Sequence, residues 1–363
     1  MAKPAILVLA DGSTYEGYSF GAATDAVGEA VFNTSMAGYQ EMLTDPSYAG
    51  QILMPTYPLI GNYGTNAEDG ESRRIQVRGF AVREKCDLPS HYLNNNTVHA
   101  YLAAGGIPGI WGLDTRAITR RLRSAGVMMG MITSTKTPAE ALAAIRNAPD
   151  YGDIDFVREV TTEKPYGWGD NGNDLPYHVV ALDCGLKYNI LRLLAHHGCR
   201  STVVPCTASA EEILALEPDG ILLSPGPGDP DKLDYLMNTV KKLIGKKPMM
   251  GICLGNQMIN RAFGGKHFKL KFGHRGGNHP VRDLASGRIH ITAQNHGYAA
   301  DPSTIGQDLE VTHINLNDGT VEGLRHKELP IFAVQYHSEA SPGPLDNVYL
   351  FRQFVENIKQ GKS

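Results

Sequence analysis

Pro248-Met249-Met250-Gly251-Ile252 is a short apolar run that passes straight into Cys253-Leu254-Gly255-Asn256-Gln257. A helical pattern then continues to Phe263 and closes at Gly264-Gly265. A strand turning directly into a helix leaves one residue on a sharp, crowded corner, so the positions two before and two after it must be small. Gly251 and Gly255 meet that condition and put Cys253 at the corner. The helix that follows would aim its free N–H groups and positive end at the sulfur, favouring thiolate, and would offer the Leu254 N–H to a developing oxyanion.

The same alternation extends upstream. Apolar runs at His178–Leu182, Ser201–Val204 and Gly220–Leu223 are separated by helical patterns. These helices are Asn189–His197, stopped by Gly198; Ala210–Leu216, behind Ser209 as N-cap; and Leu233–Ile244, stopped by Gly245. Strand–helix alternation predicts an α/β fold, with a parallel sheet carrying helices on both faces and ligands held just beyond the strands' carboxyl ends. The N-terminal part lacks that regularity. Strand-like pieces at Ala5–Leu9, Ala30–Asn33, Gln51–Met54 and Gln76–Val82 mix with helices starting near Thr115 and over Pro138–Asn147, which reads as an α+β domain. Thr161–Asp174 is rich in Gly, Asp, Asn and Thr. The expected organisation is a domain over 1–160, a linker over 161–176 and a second domain over 177–363.

Bulk properties agree with two domains: 363 residues, 42% of them hydrophobic, exceed what one core usually holds. Net charge is −4 and the basic residues are scattered, so neither nucleic acid nor a membrane surface is expected as a partner. Five cysteines without a CxxC pair make neither a disulfide framework nor a zinc site, and a reducing cytoplasm fits best. The apolar stretch Ala5–Ala10 is too short for a signal-peptide core, and no run approaches membrane-spanning length.

A cysteine nucleophile needs an imidazole to take its proton, and the imidazole needs an acceptor to fix its tautomer. Pro330–Gln335 reads as a strand and is followed by Tyr336-His337-Ser338-Glu339. Residues two apart on an extended chain point the same way, so His337 and Glu339 can share a face at that strand's carboxyl end. With thirteen histidines a chance His-x-Glu is plausible, and His290, His296 and His313 also lie in this half. No carboxylate or cysteine cluster accompanies them at ligand spacing, so no metal site is expected. Among the other cysteines, Cys184 also ends a strand, but Leu182 and Leu186 flank it where an elbow needs small residues. Cys86, Cys199 and Cys206 lack the context. Gly226 and Gly228, just past Leu223, suit a close backbone approach to a ligand or a plain Pro/Gly turn. Gln257 falls on the first turn of the elbow helix. Asn295 and Gly297 read as loop residues after a strand at Arg288–Thr292, and an ordinary turn explains them equally well.

The pattern Gly-Ile-Cys-Leu-Gly-x-Gln with a later His-x-Glu resembles the class I triad glutamine amidotransferase family. Further segments resemble its small-chain branch from carbamoyl phosphate synthetases: Phe32–Glu41, Leu43–Tyr48, Asp114–Arg116, Ser224–Pro230, Lys271–Pro280, Gln294–Gly297 and Glu339–Pro344. The resemblance implies a triad of Cys253, His337 and Glu339, with glutamine contacts at Ser47, Gly226, Gly228, Leu254, Gln257, Asn295, Gly297 and Tyr298. Ser47 rests on the resemblance alone. It also implies hydrolysis of L-glutamine and passage of ammonia to a large synthetase subunit, in a heterodimer or higher oligomer. That subunit would make carbamoyl phosphate from bicarbonate and ATP for pyrimidine and arginine synthesis. No cofactor is expected in this chain, which has no P-loop; ATP and Mg belong to the large subunit. The chain departs from the family at Tyr298 (Phe), Pro225 (often Asn), Asn256 (often His), Tyr336 (often Gly) and Ser338 (often Pro). Another triad-type amidotransferase and a non-catalytic binding subunit remain as alternatives.

Overall fold

The computed structural model describes residues 3–169 and 175–362, and the chain divides into two compact units. The first comprises residues up to Ile154 together with Lys271–Gly276. Its strands are β1 (Pro4–Leu9), β2 (Thr14–Gly21), β3 (Ala26–Asn33), β4 (Gln51–Pro55), β5 (Leu59–Ile60), β6 (Gly79–Ala81), β7 (Glu84–Lys85), β8 (Pro108–Trp111) and β9 (Met128–Thr133). All but β5 and β7 close into a barrel in the order β1-β2-β8-β6-β4-β3-β9. Its helices are α1 (Tyr39–Thr44), α2 (Val98–Ala104), α3 (Thr115–Ala125) and α4 (Pro138–Asn147). Asp114 caps α3, and a Thr137–Glu140 capping box starts α4, which supplies the first orphan N–H groups with acceptors. Barrel closure was not expected. β2, which is not among the strand-like pieces read above, alternates exposed and half-buried residues along most of its length and pairs with both β1 and β8, closing the ring.

The second unit holds β10 (Tyr166–Trp168), β11 (Tyr177–Asp183), β12 (Cys199–Pro205), β13 (Gly220–Leu223), β14 (Met249–Ile252), β15 (His267–Asp283), β16 (Ile289–Ala300), β17 (Leu309–Asn315), β18 (Val321–His326) and β19 (Ile331–Val334). Residues 271–276 of β15 count with the first unit. Helices are α5 (Val157–Val160), α6 (Tyr188–His196), α7 (Ala210–Ala215), α8 (Asp234–Leu243), α9 (Leu254–Ala262) and α10 (Tyr349–Lys362). The central strands β12-β11-β13-β14-β19 pair in parallel, as the strand–helix alternation requires. Side chains alternate across them: Val180 and Leu182 pack with α7, α8 and α9, while Val179 and Ala181 pack with α6 and α10. Helices therefore cover both faces.

Two departures from expectation concern the sheet's flanks. β18, β17 and β15 extend it antiparallel beyond β19. Short connections such as the turn at Asn315–Thr320 allow antiparallel pairing without a crossover helix. At the opposite edge β10 pairs antiparallel with β12, so residues 166–168 of the expected linker are an edge strand; its residues 170–174 lie outside the described residues. Among the described residues no helix is long and apolar enough to cross a membrane.

Candidate active site

β14 ends at Ile252 and α9 begins at Leu254, leaving Cys253 alone on the corner with φ 52° and ψ −103°. A non-glycine residue with positive φ carries strain that the surroundings must hold. Its N–H is tied to Val334 O of β19 at 2.8 Å. The two flanking glycines are sterically required. A Cβ on Gly255 would lie 2.3 Å from Leu223 O, and one on Gly251 would lie 2.8 Å from the Gly255 backbone. Gly255→Ala therefore forces β13 and α9 apart, with an expected destabilisation of about 1–3 kcal/mol. A melting temperature equal to wild type would show that the corner has room.

The Cys253 sulfur is buried but not in a purely apolar shell. It lies 3.9 Å from Asn295 O and 3.6 Å from Gln335 Nε2. His337 follows β19 and is anchored through its N–H to Ala293 O at 2.8 Å. Its Nδ1 lies 2.6 Å from Glu339 Oε1, and both side chains are buried. The two side chains meet, but not along extended chain: β19 ends at Val334, and the Ala340 N–H donates to His337 O at 3.2 Å, so a turn through Ser338 and Glu339 brings the carboxylate back to the ring. Burial alone would push the imidazole down. The Glu339 carboxylate and the neighbouring Cys253 sulfur outweigh that and hold His337 well above the ordinary histidine range. Burial would likewise raise Glu339, but the charges of Lys187 and His337 hold it well below the usual carboxylate range.

Nothing in the local sequence singles out Lys187. It precedes α6 in Gly185-Leu186-Lys187-Tyr188, is almost fully buried, and places Nζ 3.0 Å from Glu339 Oε1. The same ammonium donates to Ala340 O, and Asn189 Nδ2 donates to Glu339 O. These bonds hold a reversal in which Ala340 and Ser341 both take positive φ. A buried lysine among apolar neighbours in sequence carries no periodic signal. Only its partner gives it meaning.

Other expected positions fall as follows. Gly226 packs against the elbow, since a Cβ there would lie 2.6 Å from Leu254 Cδ2 and 2.3 Å from Cys184 O. Gly228 takes φ 91°. Asn295, Gly297 and Tyr298 are not loop residues. They lie within β16, which runs on to Ala300 and bridges His337 at Ala293, because pairing supplies its backbone partners where the sequence offers little alternation. Gln257 Nε2 donates to Tyr298 O at 3.1 Å. Ser47 belongs to the first unit, in the turn Pro46–Tyr48, with a buried Oγ lacking a partner among the described residues. Burial pushes the thiols of Cys184, Cys199 and Cys206 up, so these three favour the inert thiol form.

Comparison with known proteins bears on this arrangement. Residues 180–357 match the class-I glutamine amidotransferase family, and residues 7–132 match the carbamoyl-phosphate synthase small chain, CPSase domain. The carbamoyl phosphate synthase small chain of Akkermansia muciniphila is 54% identical over 99% of this chain and 98% of its own length. The chain belongs to the carbamoyl phosphate synthase small-chain family. The small chains of Syntrophotalea carbinolica and Synechocystis sp. are 50% and 51% identical, over 99% and 100% of this chain and 98% of each relative. Membership in the carbamoyl phosphate synthase small-chain family, with its amidotransferase domain, makes the chain a glutamine-hydrolysing subunit of a multi-subunit synthase and implies a large-subunit partner.

The small chain's departure at Tyr336 has a measurable consequence. The ring is fully buried edge-on to His313, at 5.7 Å between centroids, and its hydroxyl has no partner among the described residues. An unsatisfied buried hydroxyl costs stability that a phenyl ring does not. Tyr336→Phe is therefore expected to unfold at the same urea concentration as wild type or a higher one. A lower midpoint would reveal a hydrogen bond to that hydroxyl.

Proposed function

We propose that this small chain hydrolyses L-glutamine at Cys253 and delivers the ammonia to its large partner. The observation that carries the reading is a cysteine on a strained strand-to-helix corner beside an imidazole whose far nitrogen is bonded to a buried carboxylate. The protonated His337 and the N-terminal end of α9 both favour negative charge on the sulfur. The thiolate attacks the side-chain amide carbon of glutamine, forming the C–S bond and moving the carbonyl electrons onto oxygen. The N–H groups of Leu254 and Gly226 receive that oxyanion. As it collapses, the C–N bond breaks and His337 gives its proton to the leaving nitrogen, releasing ammonia. His337 then takes a proton from water, the hydroxide attacks the thioester, and glutamate leaves with the thiolate restored. Glu339 holds the imidazole in the required tautomer throughout. Gly228, Gln257, Asn295, Gly297 and Tyr298 are assigned, by the family resemblance, to the amino-acid end of the substrate; Asn295 O lies 3.9 Å from the sulfur, and Gln257, in the first turn of α9, is bonded to Tyr298 O.

ATP with Mg is assigned to the large subunit, where ammonia, bicarbonate and ATP would yield carbamoyl phosphate for pyrimidine and arginine synthesis in the cytoplasm. Residues 1–160 have no comparable catalytic set and are assigned to docking that subunit, as a heterodimer or a higher assembly. An electrophilic glutamine analogue, such as a chloroketone, tests the site. It is expected to label Cys253, with protection by glutamine. Labelling elsewhere, or labelling that glutamine does not slow, would contradict the assignment.

A further inference from the structure

Gln335 directly follows β19 and is fully buried. Its Nε2 lies 3.6 Å from Cys253 Sγ, and its Oε1 lies 3.2 Å from both Asn256 Nδ2 and Gln257 Nε2. A side-chain amide can turn end for end, so the end that meets the sulfur is set by its neighbours. The Tyr298 main-chain oxygen, 3.1 Å from Gln257 Nε2, can only accept, which makes that end of Gln257 the NH2 group. An NH2 group beside Gln335 requires an acceptor, and this fixes Gln335 Oε1 there. Asn256 adds a second donor to the same oxygen. Reversing Gln335 would set NH2 against NH2 at Gln257 and a carbonyl oxygen against the sulfur. The orientation thus propagates from one backbone carbonyl through two side chains and ends with an N–H aimed at the nucleophile.

We infer that Gln335 is a further catalytic residue of the glutaminase, whose amide N–H stabilises negative charge on the Cys253 sulfur while Asn256 and Gln257 hold the amide in place. The inference rests on Cys253 being the nucleophile. The arrangement gives Asn256 a defined task at a position where the family often carries histidine. It also differs in kind from what His337 does. The imidazole must give up its proton during turnover, whereas the amide keeps its own and stabilises sulfur in every step where sulfur carries charge: before attack, and again as the thioester is broken. The titratable groups that act on the sulfur are His337 and, through it, Glu339 and Lys187. A neutral donor at Gln335 adds stabilisation there without a further buried charge.

The experiment is alkylation of Cys253 by iodoacetamide across pH in the complex with the large subunit, with glutamine hydrolysis measured alongside. Gln335→Met removes the donor at similar volume, and Gln335→Glu keeps the shape but turns an acceptor toward the sulfur. Both are expected to move the alkylation midpoint up by about one pH unit or more and to slow glutamine hydrolysis by at least about tenfold. Asn256→Ala, which loosens Gln335 without touching the sulfur, is expected to act in the same direction by a smaller factor. It serves if the Gln335 variants do not fold. A wild-type alkylation profile in the folded variants, even with a lowered melting temperature, would reduce Gln335 to a packing role and overturn the inference. If Cys253 of the wild-type complex is not alkylated, or glutamine does not protect it, the nucleophile assignment itself fails.

Discussion

Cys253→Ser is expected to abolish glutamine-dependent carbamoyl phosphate formation by the assembled synthase, a loss of at least about a thousandfold, while added ammonia still supports synthesis. The change swaps sulfur for oxygen on an unaltered corner. A serine hydroxyl loses its proton far less readily than a thiol and is a weaker nucleophile, so the imidazole and the helix end no longer suffice. Serine fits wherever cysteine fits, and Gly251 and Gly255 still allow the tight corner. Loss of both activities would point to damage beyond the sulfur. Retention of glutamine-dependent synthesis would favour a non-catalytic binding subunit.

Lys187→Met should give the second large effect, and it should appear as stability as well as activity. The methionine fills similar volume but leaves Glu339 buried with His337 as its remaining cation. Removing one partner of a buried ion pair typically costs about 3–5 kcal/mol. Part of the loss comes from the turn after Glu339, because the same ammonium also holds Ala340 O. The effect depends on pH in a definite direction. Glu339 is depressed in the folded chain, so it contributes stability above the unfolded carboxylate pKa and loses it as pH falls through the folded value. The difference in urea midpoint between wild type and variant should therefore be greatest near neutrality and narrow in acid. His337 is raised, so its contribution is complete below the unfolded histidine pKa and is lost as pH rises through the folded value. Equal midpoints at neutral pH would show that Lys187 does not support the carboxylate.

Much of this architecture is legible in the chain itself, and what is not has physical reasons. The parallel core follows from apolar runs bounded by capped helices; Ser209 is the N-cap read from the sequence, and Glu212 completes a capping box with it. The corner at Cys253 follows from two glycines at which a Cβ would have no room. His337 and Glu339 are marked by their place just after a buried strand, though a turn rather than the two-residue period of extended backbone joins them. The antiparallel flank is hidden because β15 carries Gly273, Gly276, Gly277 and Pro280, residues that read as loop until a neighbouring strand supplies their partners. For the same reason Asn295 and Gly297 read as loop and are strand. Lys187 and Gln335 are hidden differently. Each acts through a partner more than eighty residues away in sequence, a distance over which no local pattern carries information.

The most direct measurement is rapid acid quench of the working complex with labelled glutamine, followed by mass spectrometry of the digested small chain. A γ-glutamyl group in thioester linkage on the Cys253 peptide, formed and consumed at the rate of turnover, is expected. Its absence during sustained glutamine hydrolysis, or its appearance on any other side chain, would contradict catalysis through this sulfur.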